Sequence, residues 1–128
     1  MNYLSVAQVL FIHARLIVET GGSPGLRDLG LLSPAVARPQ ATFDGQDLYP
    51  DLFSKTAALM DSLVRNHAFI DGNKRVGITA AALFLRIHGR QLTASNAELE
   101  RFTWDVAQTH ASLDSMTIWF EQNSKLHR

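Results

Sequence analysis

The residues best suited to chemistry fall in one run of nine, His67-Ala68-Phe69-Ile70-Asp71-Gly72-Asn73-Lys74-Arg75. Gly72 permits positive φ or close approach of a ligand to the backbone. Apolar spacing at helical intervals resumes just after it, so Asn73, Lys74 and Arg75 open a helix. Free N–H groups and the positive end of a helix dipole then point at one spot. Lys74 and Arg75 add fixed positive charge there. Asp71 is placed to hold a divalent cation that bridges phosphates. His67 is the one side chain of the run that exchanges a proton near neutral pH. An anion cradle, a metal ligand and a base are the parts that phosphoryl or nucleotidyl transfer needs.

Local charge agrees. Between Arg65 and Arg90 there are five basic residues and a single acid, Asp71, within a chain whose 12 basic and 12 acidic residues cancel. Arg86 and Arg90 read as solvated charges near a helix C-terminus, where they favour the dipole. Phe69 reads as a core anchor that pins the loop, and Asn73 as a helix cap. His13, His88, His110 and His127 read as structural, since none has zinc-ligand spacing with a third ligand nearby.

Helices must position this loop. Ser5-Val6-Ala7-Gln8 is a capping box, followed by Val6, Val9, Leu10, His13 and Ile17 at helical spacing. Phe11, Ile12, Leu16 and Val18 make that helix apolar nearly all round, so it is either central in the core or leaves a face for a partner. The segment Gly21 to Gly25 breaks it. A short helix is expected after Ser33-Pro34, with Ser33 as cap, ending by Pro39. Residues 41–50 read as an exposed loop or small hairpin. The next helix spans about Asp51 to Asn66, its stripe formed by Phe53, Ala57, Met60, Leu63 and Val64. After the loop, Val76, Ala80, Leu83, Phe84 and Ile87 continue the pattern until Gly89. Ser95-Asn96-Ala97-Glu98 caps another helix, and Ser112 caps the last. Strand patterning is almost absent. The expectation is an all-α, compact single-domain bundle of about six helices over residues 1–128, with a small flap loop or hairpin.

Composition narrows the rest. At 128 residues and 46% hydrophobic content the chain can bury a core without staples. It has no cysteine, which removes disulfides, thiolate zinc sites and a thiol nucleophile. Zero net charge removes the broad footprint of a non-specific nucleic-acid binder, and aromatic residues are not interleaved with basic ones. No apolar run approaches the ~20 residues that span a bilayer, and the first residues lack a basic leader. The chain reads as soluble and cytoplasmic, with no direct nucleic-acid or membrane partner. Its near-neutral, charge-poor surface suits a permanent protein partner.

The run resembles the Fic/Doc family motif His-x-Phe-x-(Asp/Glu)-Gly-Asn-(Gly/Lys)-Arg, matched by His67, Phe69, Asp71, Gly72, Asn73, Lys74 and Arg75. Gly21 to Asp28, Leu31-Leu32, Arg38-Pro39-Gln40 and Asp47 to Phe53 are similar to the death-on-curing (Doc) branch. The resemblance implies that His67 is the general base, that Asp71 coordinates Mg²⁺ on the nucleotide, and that Gly72, Asn73, Lys74 and Arg75 hold phosphates. Arg65 is a further phosphate contact on the same analogy. The stretch from Thr42 to Pro50 would be a flap that aligns the target segment.

Two departures from the adenylylating pattern bear on the reaction. Lys74 replaces a second Gly, and Ile78 replaces a second Arg. In the Doc branch these changes imply a reversed nucleotide and transfer of the terminal phosphate of ATP to a Thr of elongation factor Tu, arresting translation. Thr117 to Gln122 is only near the self-inhibition motif, and Ile78 cannot pair with Glu121, so the implied inhibitor is an antitoxin of the Phd type. The apolar first helix is compatible with such a partner. Two alternatives stand beside the toxin kinase: AMP transfer of the Fic type, and a non-catalytic helical binding module.

Overall fold

A computed structural model describes residues 1–108 and 111–127. Six helices carry the architecture: α1 Val6–Thr20, α2 Leu29–Ala37, α3 Leu52–Arg65, α4 Asn73–Ile87, α5 Asn96–Gln108 and α6 Leu113–Gln122. A single 3₁₀ turn, Arg38–Gln40, follows α2 directly. Two small antiparallel pairs complete the fold, β1 Thr42–Phe43 with β2 Gln46–Asp47, and β3 Arg90–Leu92 with β4 Ser124–Leu126.

The central element is α3, not α1. Nine of its fourteen residues are buried, and α4 lies against it. The two helices approach closely because Gly77 has no side chain: a Cβ there would stand 2.5 Å from Val64 Cγ2. Ala57, Ala58, Ala80 and Ala81, all fully buried, keep the same seam narrow. One apolar cluster forms on the α1–α2 side around Val9, Leu32, Leu59, Phe69 and Phe84. The other forms on the α5–α6 side around Met60, Leu85, Val106, Met116 and Phe120. The site loop connects α3 to α4, so both clusters hold its two ends.

The expected caps are present. Ser5 and Gln8 form the box at α1, Ser95 and Glu98 exchange hydrogen bonds at α5, and Ser112 caps α6. Gly21, in the left-handed region at φ 75°, ends α1. α1 is not the central helix: Val9, His13 and Ile17 are buried, while Phe11 and Val18 are 65% and 82% exposed.

Four expectations need correction. First, α2 starts five residues before Ser33-Pro34, capped by Asp28, whose side chain accepts the Gly30 N–H at 2.8 Å. Pro34 therefore sits inside the helix. Gly30 and Pro34 are both exposed, so the hydrogen bond that Pro34 cannot donate is lost on the solvent side of the helix. Second, β3 and β4 exist; three residues per strand, 34 positions apart, leave no alternation to detect. Third, Arg90 is not a solvated helix-end charge. Its Nη2 donates to the Ser124 carbonyl and hydroxyl at 3.0 and 3.2 Å, and its guanidinium lies 5.2 Å from the centre of the Phe53 ring. Fourth, Asn73 does not cap α4; Gly72 occupies the cap position.

The hairpin expected in residues 41–50 forms with Asp44 and Gly45 both at positive φ, 52° and 75°, the conformation that a two-residue turn of this hand requires. Its base is fixed by Lys55, a residue of α3 with a 3% exposed side chain. The Lys55 ammonium donates to Asp47 at 3.0 Å and to the Tyr49 carbonyl.

Candidate active site

The loop from α3 to α4 is held along its whole length by chain that lies far away in sequence. Asn66 closes α3 and its side chain donates to the Leu31 carbonyl at 3.1 Å. His67 then adopts φ 50°, a left-handed conformation that turns the chain and leaves the imidazole exposed. Residues 25–28 run beside the loop. Ile70 N–H donates to the Gly25 carbonyl at 3.1 Å, and the N–H groups of Arg27 and Asp28 donate to the Ala68 carbonyl at 2.8 and 3.0 Å. Arg27 Nε donates to the His67 carbonyl at 2.7 Å. The pair Arg27-Asp28 thus has a role that its sequence alone does not suggest.

Phe69 anchors the loop as expected, being only 2% exposed. Its backbone N–H and C=O both bond to the Asn73 side-chain amide at 3.0 Å. That side chain therefore braces the loop, and the Asn73 backbone N–H and the second hydrogen of its amide stay unused by these bonds. His13, buried in α1, stacks on the Phe69 ring at 3.9 Å and reaches the Asp71 carbonyl at 2.8 Å. Reading His13 as structural is correct, and the structure it serves is the loop itself. His88 and His127 also make structural contacts, to the Phe84 carbonyl and the Gln91 side chain. His110 lies outside the described residues.

Asp71 is set with similar precision. One carboxylate oxygen accepts the Gly72 N–H at 2.8 Å and the other the Ser23 N–H at 3.0 Å. These bonds, Ser23 first and Gly72 second, with Arg75 and His13 nearby, hold its pKa below the usual 3.8. The carboxylate is ionised at neutral pH, exposed, and retains a lone-pair site on each oxygen. Gly22 makes this placement possible, because a Cβ there would lie 2.7 Å from Asp71 Oδ2. Gly72 caps α4 at φ 81°, a left-handed conformation that a side chain would strain, although a Cβ there would meet Ile17 only at contact distance, 3.4 Å.

A cleft of about 500 Å³ brings most of the expected residues together. Arg65, His67, Asp71, Gly72, Asn73 and Lys74 line it, with Val64, Ile70 and Ala107 as apolar walls. Arg75 faces the other side of the same helix start, in a neighbouring hollow shared with Asp71, Gly72 and Lys74. Arg65 borders the cleft but is also paired with Asp61, which accepts from Arg38 at 2.8 Å as well. The Lys74 ammonium stands 4.8 Å above the centre of the Trp104 ring on α5. Sequence reasoning missed Gly22, Ser23, His13 as a brace, Lys55 and Trp104. Only His13 carried a signal, its place on the buried face of α1.

A backbone-cradled anion site beside an ionised carboxylate and an exposed imidazole can bind a polyphosphate and take a proton from an incoming hydroxyl. Among the described residues no three His, Cys, Asp or Glu side chains cluster to hold a metal by themselves. A cation here would complete its shell from phosphate and water. No helix of the described residues is long and apolar enough to cross a membrane.

Comparison with known proteins places the chain among relatives. The model of the Fic/DOC family matches residues 3–85. The chain is 50% identical over 102 residues to Toxin Doc of Mycolicibacterium smegmatis, covering 77% of this chain and 78% of that protein. It is 33% identical over 116 residues to Protein kinase doc of Escherichia phage P1, covering 91% and 90% of the two chains.

Proposed function

The chain belongs to the Fic/DOC family, and from that premise we propose that it is a Doc-type toxin that phosphorylates a hydroxyl of a target protein. The observation that carries this reading is the shared cleft: His67 is exposed in the same hollow as Asp71, Gly72 and Lys74. The names of the two relatives support it, one a toxin and the other a protein kinase.

In this reading ATP is the donor and its polyphosphate lies across the start of α4. The backbone N–H groups of Gly72, Asn73 and Lys74 and the charges of Lys74 and Arg75 hold it, with Arg65 at the rim. The residues fit Mg²⁺, since Asp71 offers an ionised, accessible carboxylate with lone pairs to spare. Bound there with phosphate oxygens, magnesium would neutralise charge on the polyphosphate. His67 takes the proton of the target hydroxyl as its oxygen bonds to the terminal phosphorus. The bond from that phosphorus to the bridging oxygen breaks, and ADP leaves. Lys74 and Ile78 favour this outcome over AMP transfer, because an ammonium and an uncharged branched alkyl chain stand where adenylylating relatives have Gly and Arg. The hairpin of residues 42–47 presents the target segment.

The target is a Thr of elongation factor Tu, with translation arrest as the outcome. The neutralising partner is a Phd-type antitoxin that packs on the face of α1 exposing Phe11 and Val18. The setting is the cytoplasm. Intact-mass analysis of elongation factor Tu, incubated with the protein and Mg-ATP, tests the reading. A phosphate-sized increment is expected; an AMP-sized one overturns the kinase assignment, and no increment overturns transfer to this target.

A further inference from the structure

A nucleotide joins two chemistries, a polyanionic tail and a flat aromatic base on a sugar diol. The cleft at His67 suits the first, since it carries the charged cradle and no indole or phenyl ring, its other walls being Val64, Ile70, Ala107 and Gln108. A second cleft of about 380 Å³ opens on the other side of Lys74 and Arg75, which line it too. Its remaining walls are Ile78, Leu99, Thr103 and Trp104, with Asn96 and Glu100 at the rim. We propose that this second cleft, between α4 and α5, seats the nucleoside of the donor nucleotide. The proposal rests on the phosphate-transfer reading above and names the part of the site that recognises the base.

Several observations converge. Trp104 is 54% exposed, so its ring is accessible to a ligand in the cleft. It is the one indole or phenyl ring among the residues of the clefts around the cradle, and aromatic rings are the common platform for bases. Ile78 supplies an apolar wall where an arginine would have filled the space with charge. A carboxylate such as Glu100 suits a vicinal diol, and the Asn96 amide offers both donor and acceptor to a base edge. The volume falls within the range of small-molecule sites.

Lys74 couples the two clefts. Its ammonium covers the Trp104 ring, and its flexible stem starts in the first turn of α4, at the polyphosphate cradle. A base that stacks on Trp104 displaces the ammonium, which then pairs with phosphate. The resting cation–π contact thus keeps the ring covered and the charge ready.

The test compares Mg-ATP with Mg-tripolyphosphate by calorimetry and by tryptophan emission. Either compound draws the Lys74 ammonium off the ring, so ATP, whose base also stacks there, is expected to give a distinctly larger emission change than tripolyphosphate. Trp119, half-buried and stacked on Phe102 at 3.8 Å away from this cleft's lining, supplies a constant background. Trp104→Phe should remove the signal and keep ATP affinity within a few-fold. Trp104→Ala, and Leu99→Phe which fills the cleft, should each weaken ATP by about tenfold or more and leave tripolyphosphate nearly unchanged. Unaltered ATP affinity in both variants overturns the cleft assignment while leaving phosphate transfer standing. So does loss of antitoxin binding with ATP affinity intact, which would make the cleft a protein-docking site. Failure of wild-type protein to bind either compound overturns both readings.

Discussion

The imidazole of His13, on the first helix, donates from Nε2 to the carbonyl oxygen of Asp71 across 58 residues of chain, at 2.8 Å. A carbonyl only accepts, so the proton sits on Nε2. The same ring stacks on Phe69, so one buried side chain fixes both the anchor of the loop and the backbone of its acid.

Replacing that brace should cost both stability and rate. His13→Ala is expected to destabilise the fold by about 2 kcal/mol, from a lost buried hydrogen bond and lost packing. Transfer should fall even at temperatures where the variant is fully folded. Chemical denaturation and single-turnover kinetics measure the two effects, and an unchanged rate in the folded variant would show that His13 does not position Asp71.

His67 should behave in the opposite way. It is exposed and adds little packing, but its φ of 50° favours Asn or His over Ala. His67→Asn is therefore the cleaner variant. Transfer is expected to drop about a hundred- to ten-thousand-fold, with the melting temperature near that of wild type. A folded variant that still transfers phosphate would remove His67 from the chemistry.

Acid should probe Asp71. Its folded pKa lies below its ordinary value, so the stabilisation it provides is intact above about pH 4 and disappears as pH falls through the folded value. In Asp71→Asn this part of the acid limb should flatten, while stability at pH 7 falls. Melting temperatures measured from pH 2 to 7 give the comparison. Coincident acid limbs would mean that the Ser23 and Gly72 bonds do not select the ionised form.

The α3–α4 seam predicts a compensating pair. Gly77→Ala drives a methyl against Val64 Cγ2, and overpacking of this kind costs about 1–3 kcal/mol. Val64→Ala vacates that space, so the double variant should be more stable than the sum of the single losses allows. A double-mutant cycle by denaturation measures the coupling, and simple additivity would refute close packing at Gly77.

Lys55 should separate target handling from nucleotide handling. Lys55→Met removes the ammonium that ties Asp47 and the Tyr49 carbonyl to α3. Protein phosphorylation is expected to fall at least several-fold while Mg-ATP affinity stays near wild type. Equal losses in both would place the hairpin's influence on the nucleotide instead.

The helices and the motif were readable because each leaves a local mark: a capping box at Ser5, a Gly stop at Gly21, apolar spacing along α3. Asp28 was overlooked as a cap because Ser33-Pro34 is the stronger local signal, and the exposed Gly30–Pro34 face lets the helix run through it. What stayed hidden depends on distant pairing. Arg27 against His67, Ser23 against Asp71 and Arg90 against Ser124 each join residues more than 30 positions apart. The Trp104 contact with Lys74 likewise follows only once α4 and α5 are packed.

The backbone bonds that join residues 25–28 to residues 67–70 make the motif unable to stand by itself. A truncated chain starting at Leu29 would retain every residue from His67 to Arg75 and forfeit the seam that gives them their shape. Inserting or deleting even one residue between the end of α1 and Asp28 would shift that seam out of step. The shape of the reactive loop is thus set in part by a glycine-rich stretch more than 40 residues upstream of it.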